Sequence, residues 1–200
     1  MNSPFASLDA GTIVAFHDAQ VARGPAQSSG AAGEPWASIA TNHCCNHLLW
    51  NEEDQARRID VPDASIAANK RAIDGYNQRR NDAIERIDEA LLARLAGVTP
   101  RPDAWHNSET AGSIVDRLSI LALKIHHMRA QTLRADASAG HIAQCSEKLA
   151  RLSLQRDDLA RCFDTLLASA AAGRAFWRIY RQFKMYNDPT LNPYLYAKPK

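Results

Sequence analysis

The sequence predicts an all-α fold, a single-domain antiparallel bundle of about five to six helices, several of them long, with an extended C-terminal tail. Three observations predict it. Apolar residues recur at three- and four-residue spacing through several long stretches. Proline and glycine collect between those stretches, where helices must stop. No segment of strand length alternates apolar and polar residues. Long amphipathic helices joined by short breaks bury their faces by packing side by side.

A chain of 200 residues buries roughly 70% of its unfolded surface, so a core forms without staples. Hydrophobic residues at 46% and charged residues at 23% exclude a disordered or fibrous chain. The formal net charge of +2 gives no general pull toward nucleic acid or an acidic membrane. Cys44, Cys45, Cys145 and Cys162 form no C-x-x-C pair and read as reduced thiols of a cytoplasmic protein. The opening M-N-S-P-F lacks a basic run before an apolar core, and no apolar run spans a bilayer. Export and membrane insertion are therefore not expected.

Residues 8–23 place Ile13, Phe16 and Val21 on a modest amphipathic helix that Asp9 caps. Residues 24–34, rich in Gly, Ser and Ala, read as a mobile loop. Residues 1–35 thus form an N-terminal arm, and residues 36–200 the bundle domain. Pro35 opens a helix over residues 36–59, whose face carries His43, His47, Trp50, Asp54 and Arg57. D-V-P-D at residues 60–63 breaks it, with Asp63 capping a helix over residues 64–96. Ile66, Ile73, Ile84, Leu91 and Leu95 mark the buried stripe of that helix, interrupted by Lys70, Asn77, Asn81 and Asp88. Gly97 ends it, and Pro100 and Pro102 mark a loop.

The central helix covers residues 109–128 and is capped by Ser108 or Thr110. Ile114, Leu118, Leu121, Ile125 and Met128 form one stripe, while Ile120 and Leu123 lie nearly opposite. A helix apolar on two sides has neighbours on both. Asp116, Arg117 and Lys124 nevertheless sit in its middle, and charges there are costly unless they are paired or line a cavity. A further helix over residues 141–171 supplies Leu149, Leu152, Leu159, Phe163, Leu166 and Leu167, and Gly173 closes it. Residues 174–186, aromatic and basic, read as a last helix before a turn-rich tail.

Four polar segments carry chemistry. In residues 42–58, His43 and His47 are spaced to share a metal ion, but the Glu-x-x-His pairs of helical metal sites are missing, so packed histidines are the plainer reading. Glu53, Asp54 and Arg57 follow, as acid/base groups with a cation or as an ion-pair network. Lys70, Asp74, Asn77, Gln78 and Asn81 suit hydrogen bonding to hydroxyls and anions, or form a layer that fixes helix register. Glu109, Asp116, Arg117 and Lys124 either clamp a phosphate or carboxylate or neutralise one another. Residues 180–193 aim Arg181 and Lys184 at a shared anion pocket, the pattern being too short for nucleic acid, while Asn187, Asp188 and Asn192 act as turn residues. There is no Walker loop, Rossmann glycine pattern, nucleophile elbow or zinc-protease helix.

The blocks L-W-N-E-E-D-Q-A-R-R, K-R-A-I-D-G-Y-N-Q-R-R-N-D-A-I-E, E-T-A-G-S-I-V-D-R-L-S-I-L-A-L-K-I-H-H-M and Y-R-Q-F-K-M-Y-N-D-P-T-L-N-P coincide with these segments. Together they resemble domain of unknown function 4254, an uncharacterised bacterial family, over most of residues 36–196. The resemblance implies a cytosolic helical protein in the setting of cell-surface polysaccharide synthesis. It brings no catalytic residues. Ala111 departs from it, standing where the family is expected to carry proline before Gly112.

Three expectations follow. The first is an enzyme or binder of an anionic, hydroxyl-rich small molecule, such as a sugar phosphate or nucleotide sugar, acting without a cofactor or bound metal. Arg57, Lys70, Arg117, Lys124, Arg181 and Lys184 would hold the anion, Asn77 and Asn81 would read hydroxyls, and Glu53, Asp54 or Asp116 would move protons. The second is a non-catalytic accessory protein of polysaccharide assembly whose polar clusters specify packing. The third is a metal-dependent enzyme built on His43 and His47. Nucleic acid is not an expected partner, and a homo-oligomer is compatible with the pattern.

Overall fold

The computed structural model describes residues 4–5, 7–25, 33–182, 185 and 188–196. Among these residues the helical spacing becomes six helices: α1 (Ala10–Arg23), α2 (Trp36–Gln55), α3 (Asp63–Arg94), α4 (Ala111–Thr132), α5 (Ala139–Ala171) and the short α6 (Pro193–Tyr196). The fold is the expected all-α bundle. Two two-residue strands, β1 (Trp105–His106) and β2 (Ala175–Phe176), form its only described sheet pairing. Most of the loop read at residues 24–34, together with Lys184 and Asn187, lies outside the described residues.

Side-chain caps fix where several helices begin. The Asp9 carboxylate accepts from the Thr12 amide at 2.8 Å, Thr110 accepts from Ser113 at 3.1 Å, and Ser138 accepts from His141 at 3.2 Å. Asp63 does not cap α3; Pro62 holds that position without a side-chain bond, and Asp63 is the first helical residue. Its charge still suits the positive end of the helix.

α2 pairs with α3 and α4 with α5 as hairpins, and α4 touches all four of its long neighbours. It is the central helix that its two apolar sides demanded. Ile114, Val115, Leu118 and Leu121 meet Ile13 of α1, Ile39 of α2, Ile87 and Leu91 of α3, and Phe163 and Leu166 of α5 in one core cluster. α1 is fastened by polar contacts as well. Asp164 of α5 accepts from the Ala10 amide at 2.8 Å, and Arg156 pairs with Asp18 at 2.8 Å.

α4 enters the bundle through a close approach. A β-carbon on Gly112 would stand 2.5 Å from the Ile84 carbonyl of α3, so only glycine fits there. The neighbouring Asp88 carboxylate accepts from the Gly112 amide at 2.8 Å, and its burial raises its pKa to about 6.

Of the helix expected over residues 174–186, none forms over the described residues 174–182. Gly173 takes a positive φ of 69°, and Arg174 donates to the Ser169 carbonyl at 2.8 Å, which terminates α5. The chain then runs extended, with Trp105 donating to Arg174 at 3.0 Å and Asn107 to Phe176 at 2.9 Å. Ala175 and Trp177 are buried, whereas Arg178 and Tyr180 face outward. That period is two, not 3.6, and the aromatic-basic run obscured it.

Candidate functional site

α4 separates two polar regions of different character. On the side facing α1 and α2, Asp116 accepts from the amides of Asn42 at 2.8 Å and Asn46 at 2.9 Å. Asn46 also donates to the Ser119 hydroxyl at 3.0 Å, and that hydroxyl lies 2.8 Å from His43 Nδ1. The His43 ring stacks on His17 of α1 with centroids 4.7 Å apart. All of these groups are buried, Ser119 and His17 completely. Burial, with the nearby charges of His43 and Arg156, drives the His17 pKa well below its ordinary value. Burial and His47 lower that of His43 to about 4. Both rings are therefore neutral near pH 7.

On the side facing α5, α4 borders an open groove with two chambers. The first, of about 660 Å³, lies between the C-terminal end of α2, the second half of α4 and the first half of α5. Trp50 and Asp54 come from α2, Lys124, His127, Met128 and Gln131 from α4, and Lys148, Arg151, Leu152 and Gln155 from α5. Trp50 and His127 lie flat against each other, with centroids 4.4 Å apart and ring planes within 3°. The His127 pKa is lowered chiefly by burial and then by His126, against an opposing pull from Asp54. Lys124, Lys148 and Arg151 take part in no ion pair or hydrogen bond among the described residues.

The second chamber, of about 780 Å³, continues along α4 and α5 toward β1 and shares Arg151 and Gln155 with the first. Arg117 stands on its wall. Its guanidinium donates to both carboxylate oxygens of Glu109, each at 2.8 Å.

The groove therefore gathers Asp54, Arg117 and Lys124, and leaves the other sequence candidates elsewhere. Asp116 lines neither chamber and is enclosed where α4 meets α2. Glu53 and Arg57 pair with each other at 3.1 Å beside a smaller recess of about 290 Å³, which Trp50 and Asp54 also border. Lys70 is exposed and pairs with Asp74 one helical turn away. Asn77 is half-buried, while Asn81 is buried and donates to Gln182 at 2.8 Å. Arg181 bridges Glu85 at 3.0 Å and Glu89 at 2.6 Å. Lys70, Asn77, Asn81 and Arg181 line neither chamber, so a single pocket shared by all the candidates is not what the helices build.

Sequence reasoning missed Lys148, Arg151 and Gln155, which sit three and four residues apart on one face of α5. That spacing was the available signal. His43 packs against His17 and lies 2.8 Å from the Ser119 hydroxyl, and among the described residues no three His, Cys, Asp or Glu side chains are grouped to hold a metal ion. All four cysteines are free thiols. No helix of the described residues is long and apolar enough to cross a membrane.

A family model described as a protein of unknown function (DUF4254) matches residues 36–179. No curated protein and no solved structure matches the chain. The matched segment runs from the start of α2 past β2 and holds every wall residue of both chambers. It covers well over half of the sequence, and the chain belongs to the DUF4254 family.

Proposed function

We propose that the first chamber binds a small anionic molecule, a phosphate or carboxylate that also carries hydroxyl groups. One observation carries this reading: Lys124, Lys148 and Arg151 line one chamber, and none is neutralised by a partner among the described residues. Cations brought together around a concave surface repel one another until an anion joins them. The Arg151 guanidinium suits a two-pronged grip on phosphate, and the lysines act as point charges beside it. Asp54, Gln131 and Gln155 are placed on the same walls to hydrogen-bond hydroxyls, and the Trp50–His127 pair offers a flat apolar surface to a sugar ring. A sugar phosphate meets that description and suits the surface-polysaccharide setting implied by the family resemblance. Asp54 is the wall's only carboxylate and the group we assign to proton transfer, should turnover accompany binding.

Titration calorimetry with inorganic phosphate, glucose 1-phosphate and glucose tests this. The two phosphates bind and glucose alone does not. Arg151→Ala and Lys148→Ala each weaken phosphate binding by about tenfold, the size of a lost hydrogen bond to a charged group. Affinity unchanged in both variants, with helical circular dichroism intact, removes the proposal.

The accessory-protein reading keeps support for the contact of α4 with α2, where Asp116, Asn42, Asn46 and Ser119 hydrogen-bond one another. There the polar groups specify packing.

A further inference from the structure

The two chambers differ in what their charges leave over, and the difference narrows the ligand. This inference rests on the anion site proposed for the first chamber. In the second chamber each cation except Arg151 is already engaged. Arg117 is occupied by Glu109, and Arg161 pairs with Asp158 one turn away. The side-chain amide of Asn107 donates to the Glu109 carbonyl at 2.6 Å. The apolar surface of the second chamber comes from Trp105 and Leu154, exposed at 44% and 61%, with the buried Ile114, Leu159 and Leu166 behind them. Large apolar side chains exposed around a concavity are unfavourable unless something apolar covers them. Arg151 and Gln155 border both chambers, so one molecule spans from the cationic end to the apolar end without leaving the groove.

We infer that the ligand is a single-chain amphiphilic anion, with its phosphate or carboxylate head among Lys124, Lys148 and Arg151 and its apolar chain laid along the second chamber past Leu154 and Trp105. The internal pairs of the second chamber act as a filter. A second anionic group there would meet Glu109 and Asp158 before it met a free cation.

Calorimetric titration of the full chain with butyl, hexyl and decyl phosphate, each below its aggregation concentration, reads this directly. An open groove that half-buries each methylene gains about twofold in affinity per added carbon, so decyl phosphate binds roughly fiftyfold tighter than butyl phosphate. The double variant Leu154→Ser/Trp105→Ser alters exposed side chains and removes most of the gain from chain length. Lys148→Ala weakens butyl and decyl phosphate by the same factor. A chain-length gain below fivefold overturns the inference, and so does a larger gain that persists in the double variant. In both cases the anion site stands as long as butyl phosphate still binds and Lys148→Ala weakens it. If none of the alkyl phosphates binds and inorganic phosphate does not either, the anion site itself has failed. Binding to phosphatidic acid vesicles without affinity for monomeric decyl phosphate overturns the single-chain occupant in favour of a membrane surface.

Discussion

Two polar regions flank the same helix, and they resolve the burial of charge in opposite ways. Between α1, α2 and α4, Asp116 and Ser119 are held by the amides of Asn42 and Asn46 and by His43, while both nitrogens of His17 and Nε2 of His43 are buried without a hydrogen-bond partner among the described residues. Along α4 and α5, Lys124 faces a groove with Lys148 and Arg151, and none of the three has an ion-pair or hydrogen-bond partner among the described residues, Asp54 being the one carboxylate lining that chamber. A sealed network trades solvation for partners inside the chain and so contributes to one packing. An open cluster of like charges contributes nothing to packing and keeps its interaction energy for something that arrives. Folding uses the first region; binding is left to the second.

The largest expected effect separates the two by stability. Removing the Asp116 carboxylate leaves the buried Asn42 amide unpaired, at about 1–3 kcal/mol, and costs the Asn46 amide one of its partners, Ser119 remaining. Asp116→Ala should therefore destabilise the fold by about 3 kcal/mol in urea denaturation, while Lys124→Ala and Lys148→Ala stay within about 0.5 kcal/mol of the parent. Asp116→Ala with the parent's midpoint would make the enclosed region dispensable and collapse the distinction.

Acid should attack the enclosed region first. A histidine whose pKa is depressed on folding contributes stability that is complete above its unfolded value near 6.5 and is lost as pH falls through the folded value. For His43 that window runs from 6.5 down to about 4, worth about 3 kcal/mol, and His17, His47 and His127 pull in the same direction. Asp88 opposes them. Raised on folding from 3.8 to about 6, it contributes stability that is complete below 3.8 and lost as pH climbs through 6. The parent's stability should thus decline between pH 6.5 and 4 by less than its histidines alone would cause. Asp88→Asn, which keeps an acceptor for the Gly112 amide, should decline more steeply by a comparable 3 kcal/mol. Urea midpoints measured at intervals across that range decide it; parallel curves for parent and variant would leave Asp88 without the opposing role.

The sequence made one of these regions easier to see than the other. Helical spacing located α4 at the centre and put Asp116, Arg117 and Lys124 in its middle, and that much was visible because a charge in an apolar stripe stands out. Which side each faced depended on neighbours. Asn42 and Asn46 are one turn apart on α2, a spacing common on solvated faces, and only the docking of α2 against α4 turns them toward Asp116. Lys148 and Arg151 carry no such signal, because exposed cations are common along any solvated helix face. The C-terminal run failed for another reason: its alternation over Ala175–Trp177 is too short to outweigh a string of good helix formers, and pairing with β1 decided it.

The smallest effect tests whether the second chamber is neutral by construction. Glu109→Gln keeps the shape of the side chain and removes its charge, which frees Arg117 on the chamber wall. The lost ion pair is partly exposed, at 46% and 34% for the two side chains, so stability should change by less than about 1 kcal/mol. Binding should move the other way. With a free guanidinium beside the shared Arg151, inorganic phosphate should bind about two- to threefold more tightly, a gain that salt screens within a Debye length of ~8 Å at physiological strength. Decyl phosphate should gain no more than inorganic phosphate does, because its chain already occupies the space where the new charge appears. If the variant instead loses affinity for phosphate, Glu109 is holding Arg117 in place for the ligand, and the pair belongs to the open region as a positioned hand and not as a neutralised one.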